Sequence, residues 1–397
     1  MQAHWRALTV LTVARTSMGF QFQSIASVSP DLVTQLGLSY ADLGTLIGLY
    51  FLPGVALALP GAALGRRFGD KRVVSFGLLL MVAGGLATTW ASDFASLAAA
   101  RLLSGVGGVL LNVLMAKMVT DWFAGRREIV LAMAVFVNSF PIGVGLATLS
   151  LGALAGLAGP GASFAATATL ALAALLLLTL AYAKHPNDGL GAKVGSIISP
   201  SEAMLVCMAG AVWGIFNGAF AVMFGFAPTF LASEGLNPTQ AGLLVGIATW
   251  LVAACAPVGG IVAQTWGRPA MLMTIGAVGW AACLATLALA VGFAGPALIG
   301  AGLLMGLPIG VIMSMPSQAL RPESRAVGMG LFYTWLYIGH GLMPPAAGWL
   351  QDITGSAELP LLLTAMLVGG MLPLYWLFQA VAQRRAAVPT ASGATRP

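Results

Sequence analysis

The sequence predicts an all-α membrane protein with twelve transmembrane helices, arranged as two parallel six-helix repeats. Three observations carry that reading. Of the 397 residues, 59% are hydrophobic and only 8% are charged, whereas an average soluble domain has about 25% charged residues. The charge-free stretches are long enough for twelve crossings. The chain also matches itself at one fixed offset, 198 residues. The first observation alone excludes a soluble enzyme, a nucleic-acid-binding protein and a disordered chain.

A helix needs about 20 apolar residues to cross the hydrocarbon core. Residues 7–30 supply the first span, interrupted only by Arg15, and 43–65, 73–92 and 94–116 supply the next three, the last containing Arg101. Residues 129–183 hold two spans, with the turn at 156–161, where Gly159, Pro160 and Gly161 are consecutive. Residues 203–233 and 235–267 give one span each, 269–320 divides near 292–296, and 326–351 and 359–383 complete the set. All are expected to be helical because lipid offers no partner for unpaired backbone groups, and the short alternating segments of a β-barrel are missing. Residues 7–30 are too long for a signal-peptide core and follow little basic charge, so they are read as a retained span. Cys207, Cys255 and Cys283 each lie inside an apolar run and read as small buried hydrophobes.

Orientation follows from the basic residues. Alternate connections carry Arg6; Arg66, Arg67, Lys71 and Arg72; Lys117, Arg126 and Arg127; Lys184 and Lys193; Arg268; Arg321 and Arg325; and Arg384, Arg385 and Arg396. That is 16 of the 18 Lys and Arg residues. The opposite connections hold acids such as Asp31, Asp93, Glu234, Asp352 and Glu358. Both termini are therefore expected on the cytoplasmic side of the inner membrane.

At the offset of 198, Pro30 falls on Pro228, Gly37 on Gly235, Gly44 on Gly242, Gly48 on Gly246, Gly61 on Gly259, Gly69 on Gly267 and Arg127 on Arg325. A gapless register across several connections marks an internal duplication. The expected organisation is a six-helix half over 1–183, a cytoplasmic linker over 184–201, a second half over 202–383 and a tail over 384–397.

The run GAALGRRFGDKR at 61–72 and its second-half copy GIVAQTWGR at 260–268 resemble the Gly-rich basic loops of the major facilitator superfamily. In both, the acidic residue before the basic pair is replaced, by Arg66 and Gln264. RLLSGVG at 101–107 resembles the arginine motif of that superfamily's fourth helix, and DWFAGRRE at 121–128 its loop before the fifth. The spacing of SPDL at 29–32 and NSFP at 138–141 is similar to the cyanate and nitroimidazole permease branch. The resemblance implies two halves around a midplane site working by alternating access. It assigns gating to Arg66, Arg67, Gly69 and Arg268.

Ionisable residues deep in a span are costly and mark functional sites. Arg15 shares a helical stripe with Gly19, Phe22 and Ala26. Arg101 shares one with Gly105, Gly108 and Asn112, and the two glycines between polar groups suggest a groove for a small ligand; a structural role for Arg101, bonding carbonyls, is an equal reading. Trp213, Asn217, Phe220 and Phe224 form an aromatic stripe with one amide, which is read as packing or as a substrate cage. Tyr333, Tyr337 and His340 share a face of the eleventh span, and Asn138 adds an amide in the fifth. All 12 acidic residues lie in connections or at helix ends. Two buried arginines without a buried acid favour an anion, because Arg stays charged and hydrogen-bonds carboxylate-like groups.

The expected function is secondary active transport of a small anion or organic acid across the lipid bilayer, without cofactor, metal or nucleic acid. A drug or metabolite exporter of the same superfamily and a non-transporting membrane sensor are the alternatives. Coupling is expected to come from a proton or a counter-anion. His340 and Asp31 are the titratable candidates; otherwise the anion enters with its own proton or by exchange.

Overall fold

The computed structural model describes residues 2–186, 188, 198–321 and 324–387. Asn187, residues 189–197 of the expected linker, including Lys193, and residues 388–397 of the expected tail, including Arg396, lie outside the described residues. Fourteen α-helices are described: α1 Ala3–Ser27, α2 Ser29–Leu36, α3 Tyr40–Gly48, α4 Pro53–Phe68, α5 Asp70–Thr89, α6 Phe94–Phe123, α7 Ile129–Ala158, α8 Pro160–Ala181, α9 Pro200–Ser233, α10 Pro238–Trp266, α11 Pro269–Leu289, α12 Ala294–Ala319, α13 Arg325–Thr354 and α14 Leu359–Ala387. They build twelve rods, because α1 runs on into α2 and α3 into α4. These two breaks correct the expectation of continuous first and second spans. The first falls at Val28, just before Pro30, and the second over residues 49–52, just before Pro53. At the other end of the chain, α14 continues four residues beyond the expected end of the last span.

Among the described residues, ten helices are long and apolar enough to cross a membrane by length and composition. α1 and α13 fall outside that set. They carry Arg15, Gln21 and Gln23, and Tyr333, Tyr337 and His340, and both rods make contacts across to the other half, α1 with α9 and α13 with α3. Lipid would tolerate those groups poorly, and the protein interior takes them in.

The duplication is visible in the pairing of rods. α1 packs on α7 as α9 packs on α13; α4 packs on α6 as α10 packs on α12; α5 packs on α8 as α11 packs on α14. It also recurs in local chemistry at the same offset of 198. Ser39 with Asp42 and Asn237 with Gln240 form matching capping boxes that start α3 and α10. Gly69 and Gly267, at φ 89° and 62°, turn the chain between α4 and α5 and between α10 and α11, a conformation that glycine adopts without steric cost. Within a half, small residues let backbones approach. A Cβ on Gly77 of α5 would sit 2.7 Å from the Gly107 carbonyl of α6.

The two halves meet at the end opposite the termini, here called the far end. Asp352 at the end of α13 accepts from the backbone N–H of Tyr40 and Ala41, at 2.9 and 2.7 Å, at the start of α3. Deeper along the same seam, a Cβ on Gly48 would collide with the Gly341 carbonyl. On the opposite flank, a Cβ on Gly242 of α10 would lie 2.6 Å from the Thr148 carbonyl of α7. Pro228 leaves the Phe224 carbonyl without its helical donor. Gln23 of α1 supplies one instead, at 2.8 Å. Ser29 and Thr229 complete the seal with a 2.9 Å hydrogen bond.

Candidate functional site

The site is built at the seam, below the far-end seal. α1 and α7 come together because neither Gly19 nor Gly143 carries a side chain: a Cβ at either would collide with the Phe140 or Thr16 carbonyl. This contact lays Arg15 against α7 at the point where Pro141 interrupts the hydrogen-bond ladder. Proline has no N–H to offer the carbonyl four residues earlier. Arg15 Nη1 takes that place, donating to the Val137 carbonyl at 2.6 Å and to the Phe136 carbonyl at 3.0 Å. Its guanidinium lies 4.9 Å from the Phe136 ring centre and 5.8 Å from that of Phe140, within cation–π range.

The third bond of Arg15 leads to the other half. Nε donates to Asn112 Oδ1 at 3.2 Å, and the Asn112 amide donates to the Tyr337 hydroxyl at 3.2 Å. Tyr333 and Tyr337 lie one turn apart on α13, which belongs to the other half. Among the described residues no carboxylate forms an ion pair with it. A half-buried cation therefore stands at the seam with hydroxyls, an amide and aromatic faces around it.

Next toward the far end is an aromatic layer drawn from both halves. His340 is 2% exposed and lies 4.4 Å from Phe51, 5.7 Å from Phe22 and 6.3 Å from Phe220, centre to centre. Phe140 bridges Phe22 and Phe220 at 5.6 and 6.4 Å. Among the described residues, neither ring nitrogen of His340 has a hydrogen-bond partner of good geometry. In the α9 stripe, Trp213 is stacked between Phe216 and Phe332 at 5.3 and 6.1 Å, and its buried Nε1 has no hydrogen-bond partner among the described residues. Asn217 turns its amide back to the Trp213 carbonyl at 2.8 Å. Asn138 is half-buried beside Val137 and makes no hydrogen bond with the described residues.

Arg101 is arranged differently. It is 1% exposed, and its three nitrogens reach the carbonyls of Leu46, Gln21 and Phe22 at 3.1, 2.9 and 3.0 Å. Leu46 is where α3 is about to break, so Arg101 bonds a carbonyl that the broken helix leaves open. The expected ligand groove along Gly105 and Gly108 is not there. A Cβ at Gly105 would sit 2.5 Å from the Tyr50 carbonyl, and at Gly108 3.1 Å from the Tyr50 hydroxyl. The chain itself fills the groove, with Tyr50 packed 4.6 Å under the Arg101 guanidinium.

At the terminus-bearing end, Arg66 and Arg67 close α4, and Gly69 makes the turn. Neither arginine has an ion pair with the described residues, and Arg67 lies over Phe68 at 5.3 Å. The acid of this loop comes after the basic pair: Asp70, 2% exposed, meets Lys117 Nζ at 2.6 Å, and Lys117 also reaches Asp121 at 2.8 Å. Arg268 starts α11 through its backbone carbonyl, and the side chain of Gln264 lies outside the described residues. In the second half the buried carboxylate is Glu202, which accepts from Arg321 Nε at 3.0 Å and from Ser324 at 2.9 Å. Asp31 lies on α2 at the far end, away from Arg15, and partial burial raises its carboxyl above the ordinary pKa.

The structure thus gathers Arg15, Asn112, Tyr333, Tyr337, Phe22, Phe220 and His340 at one seam, and leaves Arg101 and the basic loops outside it. Phe51, Phe136 and Phe140 belong to the site and were not singled out as site residues in the sequence. The signal for two of them was Pro141, whose missing donor marks the turn of α7 that Arg15 occupies.

A pair of six-helix repeats with a polar site at their seam is the architecture of a membrane transporter. The model of the Major Facilitator Superfamily matches residues 11–344 and 206–396, and the chain belongs to that superfamily. Over 379 residues it is 23% identical to the cyanate transport protein CynX of Escherichia coli (strain K12), spanning 92% of this chain and 95% of that protein. A stretch of 133 residues is 34% identical to the 3-(3-hydroxy-phenyl)propionate transporter of the same organism, spanning 32% of each chain. A bacterial homologue of the human lysosomal transporter Spinster, in an inward-facing and occupied conformation, superposes with a TM-score of 0.83 at 16% identity, covering 98% of this chain and 99% of that one. At that identity the likeness shows the fold.

Proposed function

We propose that the chain is a secondary transporter that moves a small anion or organic acid across the cytoplasmic membrane by alternating access. The observation that carries this is Arg15: a cation at the seam of the two halves, joined through Asn112 to the Tyr337 hydroxyl of the opposite half and paired with no carboxylate among the described residues. A half-buried charge without a counter-charge is costly, and an anionic substrate would supply the missing partner. The cyanate and hydroxyphenylpropionate carriers among its relatives transport anions of this kind by name. The basic loops at the terminus-bearing end support an orientation with both termini cytoplasmic. Reporter fusions at the C-terminus and after Glu234 test it, the first reading cytoplasmic and the second periplasmic.

A second reading, export of an apolar organic compound, is favoured by the phenylalanines around His340. Proteoliposome uptake with labelled small anions and hydrophobic cations separates the two. The anion reading requires accumulation of an anion that Arg15→Gln abolishes in folded protein. Uptake of cations unaffected by that substitution would overturn it in favour of the exporter.

A further inference from the structure

We propose that Arg325 marks a second anion site, an entry station at the terminus-bearing mouth of the path that leads to Arg15. This rests on the anion reading above and adds to it the place where the ion is first captured.

α12 packs against α10 and α11, and α13 against α9 and α3. Between them α12 and α13 leave a cavity of about 230 Å³. Met313, Pro316 and Ser317 line it from the last turns of α12, Leu320 from the loop, and Arg325 and Met329 from the start of α13. It lies at the terminus-bearing end, where Arg385 of α14 donates to the Ala319 carbonyl at 2.9 Å. Glu202 fixes the loop, accepting from the Ser324 hydroxyl at 2.9 Å and pairing with Arg321 at 3.0 Å. Arg325, the next residue, is exposed and has no ion pair or hydrogen bond with the described residues. All five N–H donors of its guanidinium are open to a ligand, enough to hold a carboxylate or another small anion in a fork. The thioethers and the proline ring suit the apolar remainder of an organic acid.

The register of α13 sets where the cavity leads. Arg325, Met329, Tyr333 and Tyr337 follow one another at four-residue steps along a single ridge, each the neighbour of the next. Tyr337 on that ridge accepts from Asn112, the partner of Arg15. At 1.5 Å per residue, Arg325 stands about 12 Å along the helix from Tyr333. On α12, Ser314, Ser317 and Gln318 are exposed beside the cavity, a polar surface that suits water and not lipid. The first half lacks this lining. At the offset of 198, Arg325 corresponds to Arg127, but Met313 and Ser317 correspond to Met115 and Val119, both 0% exposed. The arginine recurs in both halves; the half-open lining recurs in neither Met115 nor Val119.

The test is titration of the purified full-length chain in phosphatidylcholine nanodiscs with sodium trifluoroacetate, read by fluorine NMR. Arg15→Gln removes the seam site, so the weaker binding that remains reports the station. In that background Arg325→Gln should weaken it about tenfold, the loss expected for charge-assisted hydrogen bonds. Ser317→Phe keeps every charge and fills the cavity, and should weaken it by a similar factor. Arg127→Gln makes the same charge change in the other half and should stay within about twofold, because distant exposed charges are screened. If the residual binding is insensitive to Arg325→Gln, survives Ser317→Phe or falls equally in Arg127→Gln, the ion is held by diffuse charge and the station is overturned. Loss of all binding in Arg15→Gln alone also overturns the station and leaves the anion reading standing. Phosphatidylglycerol that copurifies with the unaltered chain and is lost from Arg325→Gln would assign the cavity to lipid and overturn it too. If Arg15→Gln leaves binding unchanged, or the unaltered chain binds no trifluoroacetate, the anion reading fails and this inference with it.

Discussion

Asn112 holds Arg15 with its oxygen and Tyr337 with its nitrogen, so one amide spans the seam between the halves at the depth of the proposed site. The Tyr337 end of that link is the one that must open when the halves separate. Tyr337→Phe removes the acceptor and spares the packing of the ring. A single interhelical hydrogen bond contributes about 1 kcal/mol, so the melting temperature should move by only a few degrees. Transport in proteoliposomes should fall several-fold, and an unchanged rate would show that the link has no part in the cycle.

Pro141 is expected to act through Arg15. Pro141→Ala restores an N–H that competes for the Val137 carbonyl, the acceptor that Arg15 now occupies at 2.6 Å. The helix should become no less stable, while anion affinity falls by about fivefold, the worth of one net hydrogen bond. Calorimetry and thermal unfolding on the same preparation separate the two effects.

Arg101 and Arg15 should respond to the same substitution in opposite ways. Arg101→Gln strands the Leu46 carbonyl, which the break after α3 leaves without a helical donor, and takes a second donor from the Gln21 and Phe22 carbonyls of α1, in a site that is 1% exposed. A buried acceptor left bare costs about 1–3 kcal/mol, so the yield of folded protein in the membrane should fall. Arg15→Gln should give normal yield and normal gel-filtration behaviour with transport lost. Folded, inactive Arg101→Gln would instead move that residue into the site.

At the far end, Gly48→Val would drive a side chain into the Gly341 backbone and the Pro345 ring. The expected result is a protein that spends more time open at that end. A cysteine introduced at Ser29, whose hydroxyl now meets Thr229, should then label faster with a membrane-impermeant maleimide. Labelling at the rate of the Ser29→Cys control would place the barrier elsewhere.

The number of rods, the duplication and the polarity of α1 and α13 could be read from residues, because charge placement and the offset of 198 do not depend on which way a helix faces. The orientation of each rod could not. A helix that is apolar all round carries no periodic signal for its buried side, so Gly105 and Gly108 read as a groove when Tyr50 fills it. The break over residues 49–52 was hidden for a related reason: Leu49, Tyr50, Phe51 and Leu52 are as apolar as the helix around them, and only Pro53 hints at it. Arg101 read equally as a ligand group and as a residue bonding carbonyls, because one carbonyl it serves belongs to that unseen break. Phe51 was missed with it, since the same break carries that ring to His340.

The lone charge of Arg15 has a kinetic consequence. To pass from one side to the other, the carrier must occlude its site, and occluding the empty site removes from water a guanidinium that has carbonyls, an amide and rings around it but no counter-charge. With an anion in place, the same step encloses a neutral pair. The empty protein should therefore turn over slowly and the filled one quickly, which makes the molecule a trader of one anion for another. Unlabelled anion added outside loaded vesicles should speed the exit of labelled anion well beyond its exit into plain buffer.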